Sequence, residues 1–452
     1  LAYYWRLLEV IFKVRASLRK NQITSVAEQS QFSDMTSVRK HRPDYLIVLY
    51  MGLLMLLGLV IIYAIGPQRA NVLNNAYGAD YSGTYFFVKQ IISLGIALAA
   101  FFATSKIPYT WLTKYAGSLL ALSIGACVLL AVAGIFHLGF AQQTLGATRW
   151  FNFGPFGLQP AEMLKFAILI FSAGFLGAKV KQGKLNDLHE TLIPIGIIIA
   201  ISMFFVVVVQ KDLGTGLSIV GIMASMLFVS GLNGRNSLMI LGLLLAAGVF
   251  LIAIAPHRMD RITTYLKGDN SSTSDAGSYH IEHAKIAIGT GGLFGVGIGN
   301  SVQATGYLPE AINDSVFAIM GETFGFVGLV TILAIFVALL MRLLKLMDHL
   351  VDMRLKLLIA GVFGWLGSHV ILNVASMVGV FPLTGITLPL LSLGGTSILF
   401  VAAALGLVFQ LSHYTVHPSH IKEVRHENLG SRRGVGRTRH TGRSGSSRNK
   451  KI

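Results

Sequence analysis

A single cysteine, Cys127, rules out an intramolecular disulfide, and no redox compartment can be read from it. Charge is scarce as well: 13% of the 452 residues are Asp, Glu, Lys or Arg, about half the roughly 25% usual for a soluble domain, while 53% are hydrophobic. Acid is the scarcer sign, 20 residues against 37 Lys and Arg, and the resulting net charge of +17 gathers at the two ends. Length alone would suggest about three soluble domains, but a mean hydropathy of +0.65 and long uncharged runs overrule that reading. There is no short apolar segment followed by a small-residue cleavage site, so the first apolar run is expected to stay as a span. The chain opens on Leu1 rather than Met, as expected either of a missing true start or of one decoded from an unusual start codon.

What is present is a series of apolar runs long enough to cross a bilayer, each needing about 20 residues. Ten are expected, near 45–66, 86–103, 115–138, 161–178, 191–209, 213–231, 237–255, 315–341, 356–380 and 387–412. All should be helical, because an unpaired backbone amide in lipid costs several kcal/mol. The fold class is therefore an all-α polytopic membrane protein. Lys and Arg favour cytoplasmic loops. They crowd residues 1–43, the loops around 106–114, 179–184, 235 and 342–356, and the tail after 413. That bias puts both ends in the cytoplasm and the large 256–314 loop outside. Three parts follow: a basic arm 1–43, with a possible interfacial amphipathic helix over 1–20; a membrane domain 44–413; and a basic tail 414–452. The Gly-, Ser- and Arg-rich stretch of that tail should be disordered. Arm and tail suit anionic lipid or a cytosolic partner better than nucleic acid.

Polar residues cluster at the outward ends of these spans. Arg149-Trp150 and Gln159-Pro160-Ala161-Glu162-Met163-Leu164-Lys165 open the fourth span. Pro160 suits a first helical turn, and Glu162 and Lys165 share a face at i, i+3. They are either a Trp anchor with a structural ion pair or a cationic site for an anionic group. Gln210-Lys211-Asp212 tips a tight hairpin, either as a solvated turn or as part of a phosphate or metal site. Gly289 to Asn300 is glycine-rich, but it lacks the preceding strand and cytosolic setting of a dinucleotide site. His280, Glu282 and His283 carry a weak metal-ligand spacing beside ordinary loop polarity. Glu310 and Asp314 stand at the lip of the eighth span, with Glu322 deeper; were 310–322 one helix, all three would lie near one face. Asp314 could be a helix cap. Alternatively, a half-dry carboxylate at the lip becomes more basic, which suits a general base. Phe381 to Ser397, with Pro382, Pro389, Ser392 and paired glycines, breaks the helix where irregular backbone must be buried or line a cavity.

Together these strings resemble the SEDS family, the FtsW/RodA-type peptidoglycan glycosyltransferases, over about 44–413. The likeness rests on Arg149-Trp150, Gln159 to Lys165, Asp212-Leu213-Gly214-Thr215, Gly291 to Gln303, Leu308 to Asp314 and Pro382 to Ser397, in the family's order. It departs at Ala161, Lys211, Ile312-Asn313, Ser315, Thr323 and Leu393, where that family usually has Ser, Pro, His-Thr, Phe, Glu and Tyr. Gly299 to Gln303 and Ile319 to Glu322 look more like the FtsW-like division branch. The resemblance implies outward-facing polymerisation of lipid II, with undecaprenyl pyrophosphate leaving and Asp314 as general base. Arg149, Trp150, Glu162, Lys165, Lys211, Asp212, Glu310 and Ser392 would surround the substrate. A divalent cation, Mg or Mn, could share the leaving group's charge, and no organic cofactor is expected. A class B penicillin-binding protein would be the partner, beside other division or elongation proteins. Lys89 and Glu322, charges within spans, fit a rival reading as a precursor flippase. The altered neighbours of Asp314 fit a catalytically inactive scaffold.

Overall fold

The computed structural model describes residues 42–144, 147–153, 156–240, 242 and 276–415. The arm, with the interfacial helix expected over 1–20, most of the span expected at 237–255, residues 256–275 of the large loop and the tail after 415 lie outside the described residues. Within them, nine helices are long and apolar enough to cross a membrane, and each answers to one of the other nine expected spans. The protein is a helical multi-pass membrane protein.

In chain order these elements are α1 Tyr45–Tyr77, α2 Tyr85–Lys106, a short α3 Tyr109–Lys114 and α4 Ala116–Ile135. A small sheet follows, with β1 Ala141–Thr144, β2 Ala147–Phe153 and β3 Phe156–Leu158. Then come α5 Pro160–Lys181, α6 Leu188–Val209, α7 Leu213–Ser230 and α8 Ala276–Thr290. The last three are α9 Val316–Asp348, α10 Met353–Met377 and α11 Gly395–Leu411. Sequence sets several boundaries. Asp44 caps α1 by accepting from Leu46 N at 3.1 Å, and Pro160 occupies the first turn of α5. Gly231 closes α7 in a left-handed conformation.

Helices α10 and α11 form the centre: along the apolar 18-residue stretch of each, 72% and 78% of the residues are buried, against 22% for α2 at the periphery. Lipid tails are as apolar as leucine, so helices in a bilayer approach through small residues rather than by a hydrophobic drive. That is how α10 meets α7. A Cβ on Gly364 would stand 2.2 Å from Ser225 Oγ, and one on Gly221 would stand 2.6 Å from Ser368 Cβ. Ser225 Oγ then donates to Ala360 O at 2.7 Å.

The structure corrects three expectations at the end of the bundle that carries the polar clusters. The all-α reading holds for the spans, but a three-stranded antiparallel sheet, β1-β2-β3, precedes α5. The last helix begins at Gly395 rather than 387. Pro389 supplies no amide hydrogen and Leu390 is left-handed at φ 67°, so 387–394 runs as a buried loop. Residues 311–315 are turns and α9 starts only at Val316, so Glu310, Asp314 and Glu322 do not share one helical face.

Candidate active site

Asp314 is half-buried in the turn immediately before α9. It does not cap that helix: Ser315 holds the N-cap position, and no side chain caps the first turn. Its backbone is clamped instead. Asn373 Nδ2, from the middle of α10, donates at 2.7 Å both to Asp314 O and to Ile386 O of the 382–394 loop. Leu393 N donates to Ile312 O at 2.9 Å, a second tie between the same two segments. Gly385, left-handed at φ 69°, lies against the carboxylate; a Cβ there would sit 4.0 Å from Asp314 Oδ2.

The 210–212 tip docks on the same loop. A Cβ on Gly214 would fall 2.6 Å from Ile386 Cγ1 and 2.7 Å from Thr384 O. Asp212 caps α7: its Oδ1 accepts from Thr215 N at 2.9 Å, and its Oδ2 accepts from Thr215 Oγ1 at 2.8 Å and Gln159 Nε2 at 3.1 Å. Lys211 is exposed, at a left-handed φ of 54°. Arg149, on β2, reaches over this tip, donating from Nε to Gln210 O and from Nη2 to Lys211 O, both at 2.9 Å. Its neighbour Trp150 is half-buried with its ring over Gly157. Thr396 Oγ1, in the first turn of α11, donates to Gly157 O at 2.7 Å and so joins the sheet to the bundle.

Glu162 and Lys165 do pair, at 2.7 Å, but deep inside: Lys165 has no exposed surface. Its ammonium points at Glu162 Oε1, at His369 Nε2 3.1 Å away and at the face of Trp365, 4.9 Å from the ring centroid. Because the ammonium can only donate, His369 Nε2 accepts, leaving Nδ1–H to donate to Thr387 O at 3.3 Å. Lys165 therefore stands inside the bundle rather than at its surface, and acts on the 382–394 loop through His369. Ser392 is equally occupied, its Oγ accepting from Leu388 N at 2.9 Å.

The deeper carboxylate, Glu322, accepts from Ser301 Oγ at 2.5 Å, Val302 N at 3.0 Å and Gln303 N at 3.2 Å. It holds the glycine-rich segment, which follows a helix and not a strand, against α9. His280 Nε2 lies 2.6 Å from Ser315 Oγ, and His283 Nδ1 lies 2.8 Å from Gln303 Oε1. Both therefore face separate partners. Among the described residues no three His, Cys, Asp or Glu side chains converge as metal ligands. Glu310, half-exposed and left-handed at φ 49°, faces Arg69 of α1 at 3.7 Å.

The fold thus brings five distant strings to one end of the bundle: the sheet with Arg149, the 210–212 tip, the 299–303 segment, the 308–315 turn and the 382–394 loop. Asn373, His369 and Arg69 join them without having been singled out from sequence. The first two carried a signal, since a polar or ionisable side chain inside a span is functional by default.

By fold and site, this is a polytopic membrane protein with a half-buried carboxylate under a polar rim at one end of its helices. Residues 44–417 match the cell cycle protein family model of FtsW, RodA and SpoVE, and the chain belongs to that family. Stage V sporulation protein E of Bacillus subtilis (strain 168) is 34% identical over 386 residues, covering 84% of this chain and 99% of that one. A probable peptidoglycan glycosyltransferase FtsW of Nitrosomonas europaea is 32% identical over 388 residues, covering 84% and 96%. Among solved structures, a chain of a peptidoglycan synthase complex that coordinates polymerization and crosslinking superposes with a TM-score of 0.63 at 25% identity, covering 82% and 97%. RodA of Thermus thermophilus shares the fold, with a TM-score of 0.58 at 24% identity over 83% and 98% of the chains.

Proposed function

We propose that the protein polymerises lipid II into glycan strands at the outer face of the bacterial cytoplasmic membrane, with Asp314 as the general base. Several relatives are named probable peptidoglycan glycosyltransferases, and the chain is a glycosyltransferase of this family. The observation that carries the finer reading is the double clamp of Asn373 on Asp314 O and Ile386 O. It ties the segment of one half-buried carboxylate to the 382–394 loop, on which the 210–212 tip also docks.

In the reaction, Asp314 takes the proton of the acceptor sugar's 4-hydroxyl as that oxygen attacks the donor's anomeric carbon. The new C–O bond forms on the face opposite the breaking one, and undecaprenyl pyrophosphate leaves with the bonding pair. Because that group leaves as an anion, the acid partner of ordinary glycosidases is not required. Cations facing the rim stabilise its charge, and Lys211 and Arg149 lie there. Trp150 and Glu310 line the same rim, whereas Glu162, Lys165, Asp212 and Ser392 hold the loops that shape it. The described donor set builds no protein-only metal site. A Mg or Mn ion would have to arrive on the pyrophosphate, held by one or two carboxylates, and would supply further charge neutralisation.

Kinship with FtsW and sporulation proteins supports a role in division, at the septum. The match to a chain of a polymerizing and crosslinking complex supports a class B penicillin-binding protein as partner. The basic arm and tail suit the anionic inner leaflet. The flippase reading loses its two anchors: Glu322 is held by the 301–303 segment, and Lys89 lies exposed on α2 beside Tyr85. Purified protein with its transpeptidase partner, given lipid II, should yield glycan ladders on a gel. In a parallel vesicle assay it should not move lipid II across the bilayer. Flipping without polymer would reverse the assignment, and neither activity would favour the scaffold.

A further inference from the structure

We propose that Arg69 is the arginine that binds the diphosphate of the lipid-linked substrate, an inference that rests on the polymerase reading above. Two of the cations picked out from sequence are already held by protein groups: Arg149 donates to two backbone carbonyls, and Lys165 is enclosed by Glu162, His369 and Trp365. Arg69 is not engaged in this way. Its Nη2 stands 3.7 Å from Glu310 Oε1, beyond hydrogen-bond length. Its Nε is buried without a hydrogen-bond partner among the described residues. A guanidinium carries five N–H donors in a planar fork that matches phosphate oxygens. Here the fork lies four-fifths sheltered (side-chain exposure 21%) with one loose ion pair.

The rest of the local structure sets that fork in place. Helix α1 runs on past Pro67 to Tyr77, forming a post beside the 299–310 segment. Gln68 Nε2 donates to Gly299 O at 3.2 Å, and a Cβ on Gly306 would touch Val72 at 3.2 Å. Asn74 pins the return towards α2 by exchanging two hydrogen bonds with the Tyr81 backbone, at 2.9 and 2.8 Å. Glu310 belongs to the Asp314 turn, its carbonyl accepting from Asn313 N at 2.9 Å and Ser315 N at 3.3 Å. Arg69 therefore stands one turn of chain from the base, at the rim where a lipid-borne diphosphate would enter. Glu310 keeps the fork oriented while the site is empty of anion and yields it when phosphate oxygens arrive.

The test compares binding of undecaprenyl pyrophosphate and of uncharged undecaprenol to the full-length protein in neutral-lipid nanodiscs. Wild type should prefer the pyrophosphate. Arg69→Ala should weaken pyrophosphate binding about tenfold and leave undecaprenol unchanged, the loss of one charge-assisted bidentate contact. Arg69→Lys should recover part of the loss, and the swap Arg69→Glu with Glu310→Arg none of it. Were Arg69 only a structural partner of Glu310, the swap would restore binding; that result, or pyrophosphate binding by Arg69→Ala within twofold of wild type, overturns the proposal. If Arg69→Ala fails to fold as a monodisperse species, the lysine variant and the swap decide the question. Failure of the polymerase reading would look different: no polymer from wild type, with the charge-dependent binding intact.

Discussion

Lys165 shows what a single buried ammonium requires. Taking it out of water costs several kcal/mol, returned only if all three N–H groups find acceptors. Glu162, His369 and the Trp365 ring supply them. Lys165→Met should therefore leave the Glu162 carboxylate buried and uncompensated, at a cost of roughly 3–5 kcal/mol. Thermal unfolding in detergent should show the loss, and the double change Glu162→Gln with Lys165→Met should recover most of it. Were the ammonium a substrate ligand instead, the single variant would keep its Tm and raise the KM for lipid II. From sequence, the i, i+3 spacing gave the pair but not its depth. That depth comes from α10, whose His369 and Trp365 close over the ammonium and lie some 200 residues along the chain. Arg69 was less legible still: alone it reads as an outward solvated charge, and only the fold sets it beside Glu310.

Helices were legible where apolar runs were continuous and bounded by caps or charge. They were not legible where apolar composition hid a break. Leu388-Pro389-Leu390-Leu391 reads as span, yet the missing proline amide and the left-handed Leu390 turn it into the loop beside Asp314. The sheet strands, at four, seven and three residues, were too short to show a period of two against their apolar surroundings. Helix α9 hides a break of its own. Gly325 sits at φ 69°, ψ −169°, a region nearly closed to other residues. Phe326 N and Val327 N bridge the gap, donating to Gly292 O at 2.8 Å and to Leu293 O at 3.1 Å. A Cβ on Gly325 would lie 2.3 Å from Gly295 N and 2.6 Å from Leu293 O, backbone atoms that cannot step aside. Gly325→Ala should therefore lower the Tm by several degrees, consistent with a strain of at least 1–3 kcal/mol. Gly196→Ala, in α6 with nothing near its Cβ, should be neutral or mildly stabilising. Equal Tm values for the two variants would contradict the account of the break.

The whole molecule is a bundle whose inner helices, α10 and α11, carry the polar pins and whose outer helices face lipid. The lysine and arginine bias predicts its sidedness, and the proposed consumption of lipid II at the outer face requires that sidedness. Tyr307, before α9, and Val351, after it, are exposed at opposite ends of that helix. The one native cysteine, Cys127, is buried and should give no background. In intact cells an impermeant maleimide should label Tyr307→Cys and spare Val351→Cys; the reverse pattern would invert the topology and remove the site from its substrate.

One carboxylate bears the chemistry in this account, so the most direct measurement is the gel-based polymerisation of lipid II by Asp314→Ala, purified beside wild type with the same transpeptidase partner. The account predicts an unchanged elution profile and Tm with polymer reduced at least a hundredfold, the usual worth of a positioned general base. Glycan ladders of wild-type yield from the alanine variant would contradict it.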